Sequence, residues 1–292
     1  MVRPTVRLKV RLKPDPTYKE DNREGEREGM TRVRLGSVSY LNARPCVVGL
    51  DRHPRFDLRF DVPSQCAELL HEGAIDVGLI PSIEYLRAPG QERYRIVPGV
   101  AIASRGPVAS VALYTKLPVS DVRSIALDTS SRTSVALTRI LCARAFEIDP
   151  SLVPSGPDLS AMLERYDAAL LIGDSALLTD AGKDVEKIDL GETWTTLTGL
   201  PFVYAFWAGR PQALTAADVS SLQNARDTGT NQPEQVAAAY FTDPALQAIG
   251  ARYLRDNIKY TLGDEELAGL ELFYRYASEL GLVRDPERLQ FY

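Results

Sequence analysis

Apolar positions along the chain alternate between a strand-like period near 2 and a helix-like period near 3.6. From Val33 onward, short strand-like segments and helical segments follow one another. The order strand, helix, strand forms a parallel crossover unit, so the first segments predict a mostly parallel sheet covered by helices. The predicted strands are Val33–Val38, Phe56–Val62, Asp76–Ile80, Tyr94–Ala103, Val108–Thr115, Ser124–Leu127, Ala168–Ile172 and Phe202–Trp207.

The helical pattern dominates the last third of the chain. Near the N-terminus, Pro63-Ser64 predicts a helix start with Ser64 as the N-cap, and Gly73 predicts its end. The remaining predicted helices are Pro45–Asp51, Thr133–Ala145, Leu159–Arg165, Ala216–Arg226, Pro233–Tyr240, Pro244–Asn257 and Asp264–Leu280.

This order of elements predicts two α/β lobes followed by helices. Two strands that cross between the lobes would leave a cleft, and ligands of such folds bind beyond the carboxyl ends of the strands. We expect lobe 1 over residues 31–112 and 204–292 and lobe 2 over 113–203. Residues 1–29 alternate basic and apolar positions and then become purely charged, so they predict a disordered or loosely attached extension without the apolar core of a secretory signal.

Composition narrows the classes of function. The 292 residues are 45% hydrophobic and carry a formal net charge of −5, which does not favour nucleic acid as a partner, and no segment predicts a membrane span. Cys46, Cys66 and Cys142 lack metal-ligand spacing and predict a reducing, cytoplasmic compartment. His53 and His71 are too few for a histidine-rich metal site and are expected at the surface.

The stretch LDTSSRTSVALT, residues 127–138, concentrates hydroxyls and one guanidinium where a strand passes into a helix. One or two of these hydroxyls are explained by N-capping of the helix. The alternative is an anion site, because the first helical turn has unpaired N–H groups and the positive end of the dipole. The candidate ligands of a carboxylate or phosphate are Ser130, Ser131, Arg132, Thr133 and Ser134.

Other polar residues fall at the predicted ends of strands. Parallel strands present these ends at one edge of a sheet, so the side chains are candidates for a shared small-molecule site. Besides the hydroxyl-rich stretch, they are Ser37, Tyr40, Asn42, Ser82, Ser110 and Asp174.

Several of these segments together resemble the chorismate dehydratase family of the futalosine route to menaquinone. The shared segments are GSVSYLNARP, EGAIDVGLIPSIEY, IASRGPVASVALYT, DTSSRTSVALTRIL, AALLIGDSAL, TGLPFVYAFWA and YLRDNIKYTLGDEELAGLELFYRYASELGL. The resemblance runs from about Thr31 to the C-terminus. The combination of these segments in one order is specific.

The resemblance implies a fold like that of type 2 periplasmic binding proteins. It also implies dehydration of chorismate, a dianionic small molecule, to 3-[(1-carboxyvinyl)oxy]benzoate, with no cofactor or metal. The family's functional Asn in the YLN motif corresponds to Asn42, and its functional Ser in the GPV-x-S motif corresponds to Ser110.

The identity of the base is open at this stage. Asp174 is the candidate side chain, although an Asp after Gly is also a common helix cap. We favour the substrate's own enolpyruvyl carboxylate, since a well-oriented internal base contributes about 7–11 kcal/mol. Arg132 either pairs with a substrate carboxylate or points to solvent. Tyr40, Trp194, Phe202, Tyr204 and Trp207 either line the cleft or belong to the core.

Two other functions fit the same fold. A non-catalytic protein that binds small carboxylates would use the same cleft, but such proteins are normally exported. The 1,4-dihydroxy-6-naphthoate synthase of the same pathway is the second alternative, and the YLNARP and DTSSRTS segments favour the dehydratase over it.

Overall fold

A computed structural model describes residues 32–89, 93–284 and 288–292, so the extension predicted at 1–29 lies outside the described residues. Within these ranges the chain forms two five-stranded sheets. The strands are β1 Val33–Val38, β2 Phe56–Asp61, β3 Val77–Pro81, β4 Arg95–Ser104, β5 Val111–Thr115, β6 Ser124–Asp128, β7 Ser151–Ser155, β8 Ala168–Ile172, β9 Glu186–Asp189 and β10 Phe202–Gly209.

Helices cover both sheets and dominate the C-terminal third. They are α1 Pro63–Glu72, α2 Arg132–Arg144, α3 Leu159–Arg165, α4 Gly173–Leu178, α5 Leu190–Thr198, α6 Ala216–Thr230, α7 Pro233–Tyr240, α8 Pro244–Asp256 and α9 Asp264–Glu279. Short 3-10 helices include Leu41–Val47, Leu50–Arg52 and Ser82–Arg87.

The first sheet has the order β2-β1-β3-β10-β4. β1 pairs in parallel with β2 and β3, as the crossover pattern predicts. β10 pairs antiparallel with both β3 and β4, so the sheet is mixed rather than mostly parallel throughout. We call this sheet and the helices packed on it the first lobe.

The second sheet repeats this design with the order β7-β6-β8-β5-β9. β6 is parallel to β7 and β8, whereas β5 is antiparallel to β8 and β9. The chain enters this second lobe between Ser104 and Val111 and leaves it between Asp189 and Phe202. The boundaries expected at 112/113 and 203/204 therefore each lie two residues inside a strand, β5 and β10 respectively.

Apolar side chains fill the space between the sheets and their helices. Central strand residues such as Leu35, Val77 and Trp207 are fully buried, as is Leu137 of α2. Burial of this kind contributes about 1.5–3 kcal/mol for each large apolar side chain. Among the described residues, no helix combines the length and the apolar character needed to cross a membrane.

Several local expectations differ from the structure. α1 begins at Pro63 with Val62 at the N-cap position and no side-chain cap, so Ser64 is not the cap that we expected. Proline suits the first helical position because its missing N–H would be unpaired there anyway. The expected helix at Pro45–Asp51 is replaced by the two 3-10 helices Leu41–Val47 and Leu50–Arg52.

Candidate active site

The polar clusters predicted at the ends of strands meet at one interface between the two lobes. The Tyr40 hydroxyl of the first lobe lies 3.1 Å from the Ser130 hydroxyl of the second. The Thr133 hydroxyl accepts the Ile83 backbone N–H at 3.1 Å, again across the interface. Both second-lobe residues lie at the start of α2, so the first turn of this helix faces the first lobe.

Asn42 and Ser110 come together at a third residue, Tyr253 of α8. The Tyr253 hydroxyl donates to Ser110 Oγ at 2.7 Å, and the Asn42 side chain also hydrogen-bonds to this phenol. Tyr253 is only 3% exposed. Burial raises its pKa, so the phenol stays protonated at neutral pH and is available as a donor.

The backbone of Asn42 is held by a hydrogen bond from Tyr260. Asn42 is the second residue of the 3-10 helix Leu41–Val47, directly after β1. The Tyr260 hydroxyl donates to the Asn42 carbonyl oxygen at 3.0 Å. This bond holds the backbone at the start of the 3-10 helix, from which the Asn42 side chain extends.

Ser110 is positioned by the residue before it. Ala109 has φ +63°, a left-handed conformation that is uncommon for a residue with a side chain. The Asp189 carboxylate accepts the N–H groups of Val108 at 3.0 Å and Ala109 at 2.6 Å. Lys187 Nζ donates to the Ala109 carbonyl at 3.1 Å. The two β9 side chains thus hold the strained residue at both of its peptide groups.

Asp174 bridges the two lobes. It lies in the first turn of α4, whose N-cap position is Ile172, so it does not cap its own helix in the manner considered from the sequence. Its Oδ1 accepts the Leu41 N–H at 3.2 Å, and its Oδ2 accepts the Tyr240 hydroxyl at 2.5 Å. Burial raises the pKa of Asp174, and the hydrogen bonds from Tyr240 and Leu41 oppose this effect.

The hydroxyl-rich stretch satisfies much of its own hydrogen bonding. Ser131 is the N-cap of α2 and accepts the Ser134 N–H, while the Ser134 hydroxyl lies 3.1 Å from the Ser131 hydroxyl. The Ser130 hydroxyl donates to Asp128 Oδ1 at 2.6 Å. N-capping and lobe contacts therefore account for most of these side chains. What remains for an anion is the backbone N–H groups of the first turn of α2.

Arg132 pairs with carboxylates of the first lobe rather than pointing to solvent. Its Nη1 lies 3.0 Å from Glu84 Oε2, and its Nη2 also pairs with Glu68. Glu84 is 1% exposed and is contacted as well by Arg87 at 2.8 Å and by His71 Nε2 at 3.1 Å.

His71 therefore belongs to a buried polar cluster, not to the open surface as we expected. Its Nδ1 lies 2.9 Å from the Tyr94 hydroxyl, opposite its contact with Glu84. Burial alone would raise the pKa of Glu84, but the hydrogen bond from His71 and the positive charges of Arg132 and Arg87 lower it. The cluster is thus arranged around an ionised carboxylate.

Ser37 and Ser82 differ in how they are satisfied. The Ser82 hydroxyl donates to the Val203 carbonyl at 2.8 Å and lies 3.4 Å from the Thr133 hydroxyl. Ser37 Oγ is buried and has no hydrogen-bond partner within the part of the chain that the structure describes. A buried hydroxyl without a partner is uncommon, so Ser37 is a candidate to bind a ligand atom.

The larger aromatic side chains considered for ring stacking pack mainly in the core. Trp194, Phe202 and Trp207 are fully buried, and Tyr204 bonds to the Ser104 hydroxyl at 3.0 Å. Of the aromatic candidates, Tyr40 alone bonds to the hydroxyl-rich stretch within the described residues. Among the described residues, no cluster of His, Cys, Asp and Glu has the arrangement of a metal site.

Sequence reasoning missed three tyrosines of the C-terminal helical region. Tyr240 bonds to Asp174, Tyr253 to Ser110, and Tyr260 to the backbone of Asn42. A buried tyrosine among apolar residues needs a partner for its hydroxyl, which is the available sequence signal. That signal does not identify the partner, because the partners lie about 65 to 220 residues away.

Comparison with solved structures identifies the fold. A protein of Archaeoglobus fulgidus superposes with a TM-score of 0.69 at 18% identity, over 86% of this chain and 98% of that one. The periplasmic aliphatic sulphonate binding protein SsuA of Escherichia coli gives 0.59 at 19% identity, over 89% and 94%. The MOPS-bound alkanesulfonate-binding protein SsuA of Xanthomonas axonopodis gives 0.61 at 17%, over 90% and 97%. The fold is therefore the two-lobed periplasmic-binding-protein-like fold that we expected.

Comparison of sequences identifies the family. A family model described as menaquinone biosynthesis matches residues 33–279. The chorismate dehydratase of Thermus thermophilus is 30% identical over 83% of this chain and 98% of its own length. The chorismate dehydratase of Campylobacter jejuni is 26% identical over 85% and 99%, respectively. The chain therefore belongs to the chorismate dehydratase family of menaquinone biosynthesis.

Proposed function

We propose that this protein is a hydro-lyase that converts chorismate to 3-[(1-carboxyvinyl)oxy]benzoate in menaquinone biosynthesis. The family supports the reaction, since the curated relatives are chorismate dehydratases. The interface between the lobes supports the assignment of residues. Asn42 and Ser110 are the catalytic pair, and neither is an acid or base at neutral pH.

The meeting of Asn42 and Ser110 at Tyr253 carries this proposal. It places an amide and two hydroxyls together at a buried point between the lobes. Preorganised neutral donors of this kind stabilise negative charge that develops during a reaction, and they act most strongly where water is excluded. Such donors suit an elimination in which charge develops on the ring and on a departing hydroxyl.

The dianionic substrate needs groups that favour negative charge. The first turn of α2 supplies unpaired N–H groups and the positive end of a 13-residue helix. Ser37 supplies a buried hydroxyl that has no partner within the described residues. We assign one substrate carboxylate to the start of α2, beside Ser130, Ser131 and Thr133. Arg132 acts indirectly there, because its guanidinium pairs with Glu84 and Glu68.

Dehydration removes a proton from the ring carbon that bears the enolpyruvyl ether and a hydroxyl from the neighbouring carbon. The C–H electrons form the new ring double bond, and the hydroxyl leaves as water after the base has passed the ring proton to it. We assign the base to the enolpyruvyl carboxylate, which the closed lobes hold against the ring. Asp174 is assigned a structural part, since both of its oxygens accept hydrogen bonds from the first lobe.

We also propose that the reaction takes place in the cytoplasm. Cys46, Cys66 and Cys142 are free thiols among the described residues, and all three are buried. Thiols that remain reduced are typical of a reducing compartment.

The test is direct. The purified full chain is treated with EDTA and incubated with chorismate, and both the ultraviolet absorption of chorismate and the mass of the product are followed. We expect a product lighter by one water. Samples without protein and with Ser110→Ala protein measure spontaneous breakdown and contaminating activity. If chorismate binds but remains unchanged, the protein is a binding protein of the same fold.

A further inference from the structure

The position of the Tyr253 proton determines what Ser110 can do. A phenol has one proton, and that of Tyr253 is directed to Ser110 Oγ at 2.7 Å. A serine hydroxyl that accepts this bond keeps its own proton for another partner. Ser110 is therefore set to donate, not to accept, toward whatever lies beside it in the cleft.

The Tyr253 hydroxyl also orients the amide of Asn42. Since Tyr253 uses its proton on Ser110, its oxygen can only accept from Asn42, so the Asn42 NH₂ group faces the phenol. The second N–H of that group and the amide oxygen remain for the substrate. One tyrosine thus sets the hydrogen-bond direction of both residues.

We propose that Tyr253 is a positioning residue for the dehydration, which orients the hydroxyl proton of Ser110 and the amide of Asn42 toward the substrate. This inference rests on the proposed function. Tyr253 is 3% exposed and comes from α8 of the first lobe, whereas Ser110 directly precedes the first strand of the second lobe. The bond therefore forms at the point where the chain crosses between the lobes.

A structural role alone would predict a different set of results. A merely structural tyrosine affects the stability of the fold. Its substitution would then lower turnover independently, and this effect would add to the effect of substituting Ser110. A positioning tyrosine acts through Ser110, so its loss has no further effect on turnover once the Ser110 hydroxyl is absent. A double-mutant cycle separates these two roles.

The experiment compares Tyr253→Phe, Ser110→Ala and the double variant by steady-state kinetics with chorismate. Tyr253→Phe should lower kcat by about 10- to 100-fold with KM within about twofold, because ground-state binding is retained. Ser110→Ala should lower kcat by about 10²–10³-fold. The double variant should match Ser110→Ala within about threefold. The inference would be overturned if the loss of kcat in the double variant equalled the product of the two single losses. A Tyr253→Phe enzyme with unchanged kcat would also overturn it.

Tyr204→Phe is the matched control. Tyr204 is also buried, and its hydroxyl pairs with a serine hydroxyl, that of Ser104, at 3.0 Å. It should lose about as much thermal stability as Tyr253→Phe while keeping wild-type kcat. An equal loss of kcat in this control would attribute the effect to general loosening of the core and would count against the proposal.

The two proposals fail in different ways. If the wild-type protein does not convert chorismate, the proposed function is wrong. The same four proteins then test the hydrogen bond through their free energies of unfolding in urea. A loss in the double variant that is clearly smaller than the sum of the two single losses supports the bond from Tyr253 to Ser110, and additive losses overturn it.

Discussion

The Asp174 carboxylate accepts the backbone N–H of Leu41 at 3.2 Å, across the boundary between the two lobes. Leu41 directly precedes Asn42, so a residue of the second lobe holds the backbone next to a proposed catalytic residue of the first. The bond forms only when the lobes are closed in this way. Closure of the two lobes and alignment of Asn42 are therefore linked.

Substitution of Asp174 separates this role from that of a base. In Asp174→Asn, the remaining oxygen still accepts the Leu41 N–H, and Tyr240 can donate to the Ser39 carbonyl at 3.1 Å instead. We expect kcat within about tenfold of wild type, since one neutral hydrogen bond contributes about 0.5–1.5 kcal/mol. Asp174→Ala should raise KM more strongly than Asp174→Asn, because it removes the hydrogen bonds to both Leu41 and Tyr240. An Asp174→Asn enzyme that binds chorismate normally but has no turnover would identify Asp174 as the general base.

The proposed catalytic pair should be sensitive to truncation without loss of the fold. Asn42→Ala should reduce kcat by about 10²–10³-fold, the usual effect of removing one preorganised donor. Its melting temperature should change little, because Asn42 is half-buried and its backbone bond to Tyr260 remains. Kinetics and thermal unfolding on the same preparation check both statements. A variant with kcat near wild type would remove Asn42 from the mechanism.

Thr133 should affect binding more than chemistry. Its hydroxyl accepts the buried Ile83 N–H of the other lobe, so Thr133→Val leaves that donor unpaired when the lobes close. An unpaired buried donor costs about 1–3 kcal/mol, which should appear mainly as a higher KM. Thr133→Ser keeps the hydroxyl and is the matched control, with KM near wild type. Equal KM values for the two variants would contradict a role of this bond in closure.

Glu84 should make stability depend on pH. Contacts with His71, Arg132 and Arg87 lower its folded-state pKa below the unfolded value, although burial opposes them. The resulting stability is present above the unfolded pKa and is lost as the pH falls through the folded pKa.

Glu84→Gln tests this dependence. It should reduce the free energy of unfolding at pH 7 by about 3 kcal/mol, because three positive or polar partners lose their counter-charge. The difference in the free energy of unfolding between Glu84→Gln and wild type should become smaller in urea titrations carried out at progressively lower pH. Glu68→Gln is the control, because Glu68 is largely exposed and pairs with Arg132 alone among the described residues. A gap for Glu84→Gln that is constant from pH 7 to pH 3 would contradict the assignment.

Ala109 offers a test of the strained residue before Ser110. Ala109→Gly relieves the left-handed strain but adds freedom to the unfolded chain, so stability should change by less than about 1 kcal/mol. Ala109→Val places a β-branched residue at φ +63° and should cost about 1–3 kcal/mol. Urea unfolding measures both, and kcat should fall for the valine variant only. A valine variant as stable and active as wild type would show that this backbone conformation is not required.

Much of the fold follows from periodicity. The helix Leu159–Arg165 and the strands Val33–Val38 and Ala168–Ile172 have the predicted bounds, because each is a strongly patterned segment between clear breaks. β7, β9 and α5 were not predicted. β7 contains a proline, β9 has four residues of which three are charged, and α5 is rich in threonine, so their positions depend on tertiary contacts that outweigh local preference.

The candidate site was predictable only in part. Strand ends indicated where polar residues would gather, and the family resemblance indicated Asn42 and Ser110. The partners of Arg132 were not predictable, because Glu84 lies 48 residues away on another lobe. Tyr253 was missed for the same reason, since a buried tyrosine in a helical pattern looks like an ordinary core residue.

The strand order of the first sheet also constrains how the chain matures during synthesis. Every strand or bridge partner of β4 within the described residues comes later in the sequence: β10, Lys259 and Phe291. β4 therefore leaves the ribosome without a partner, while the whole second sheet is made before β10 appears. A long unpaired apolar strand is prone to associate with other chains. Truncated chains that end before residue 202 should consequently aggregate through β4, even though their second sheet is complete.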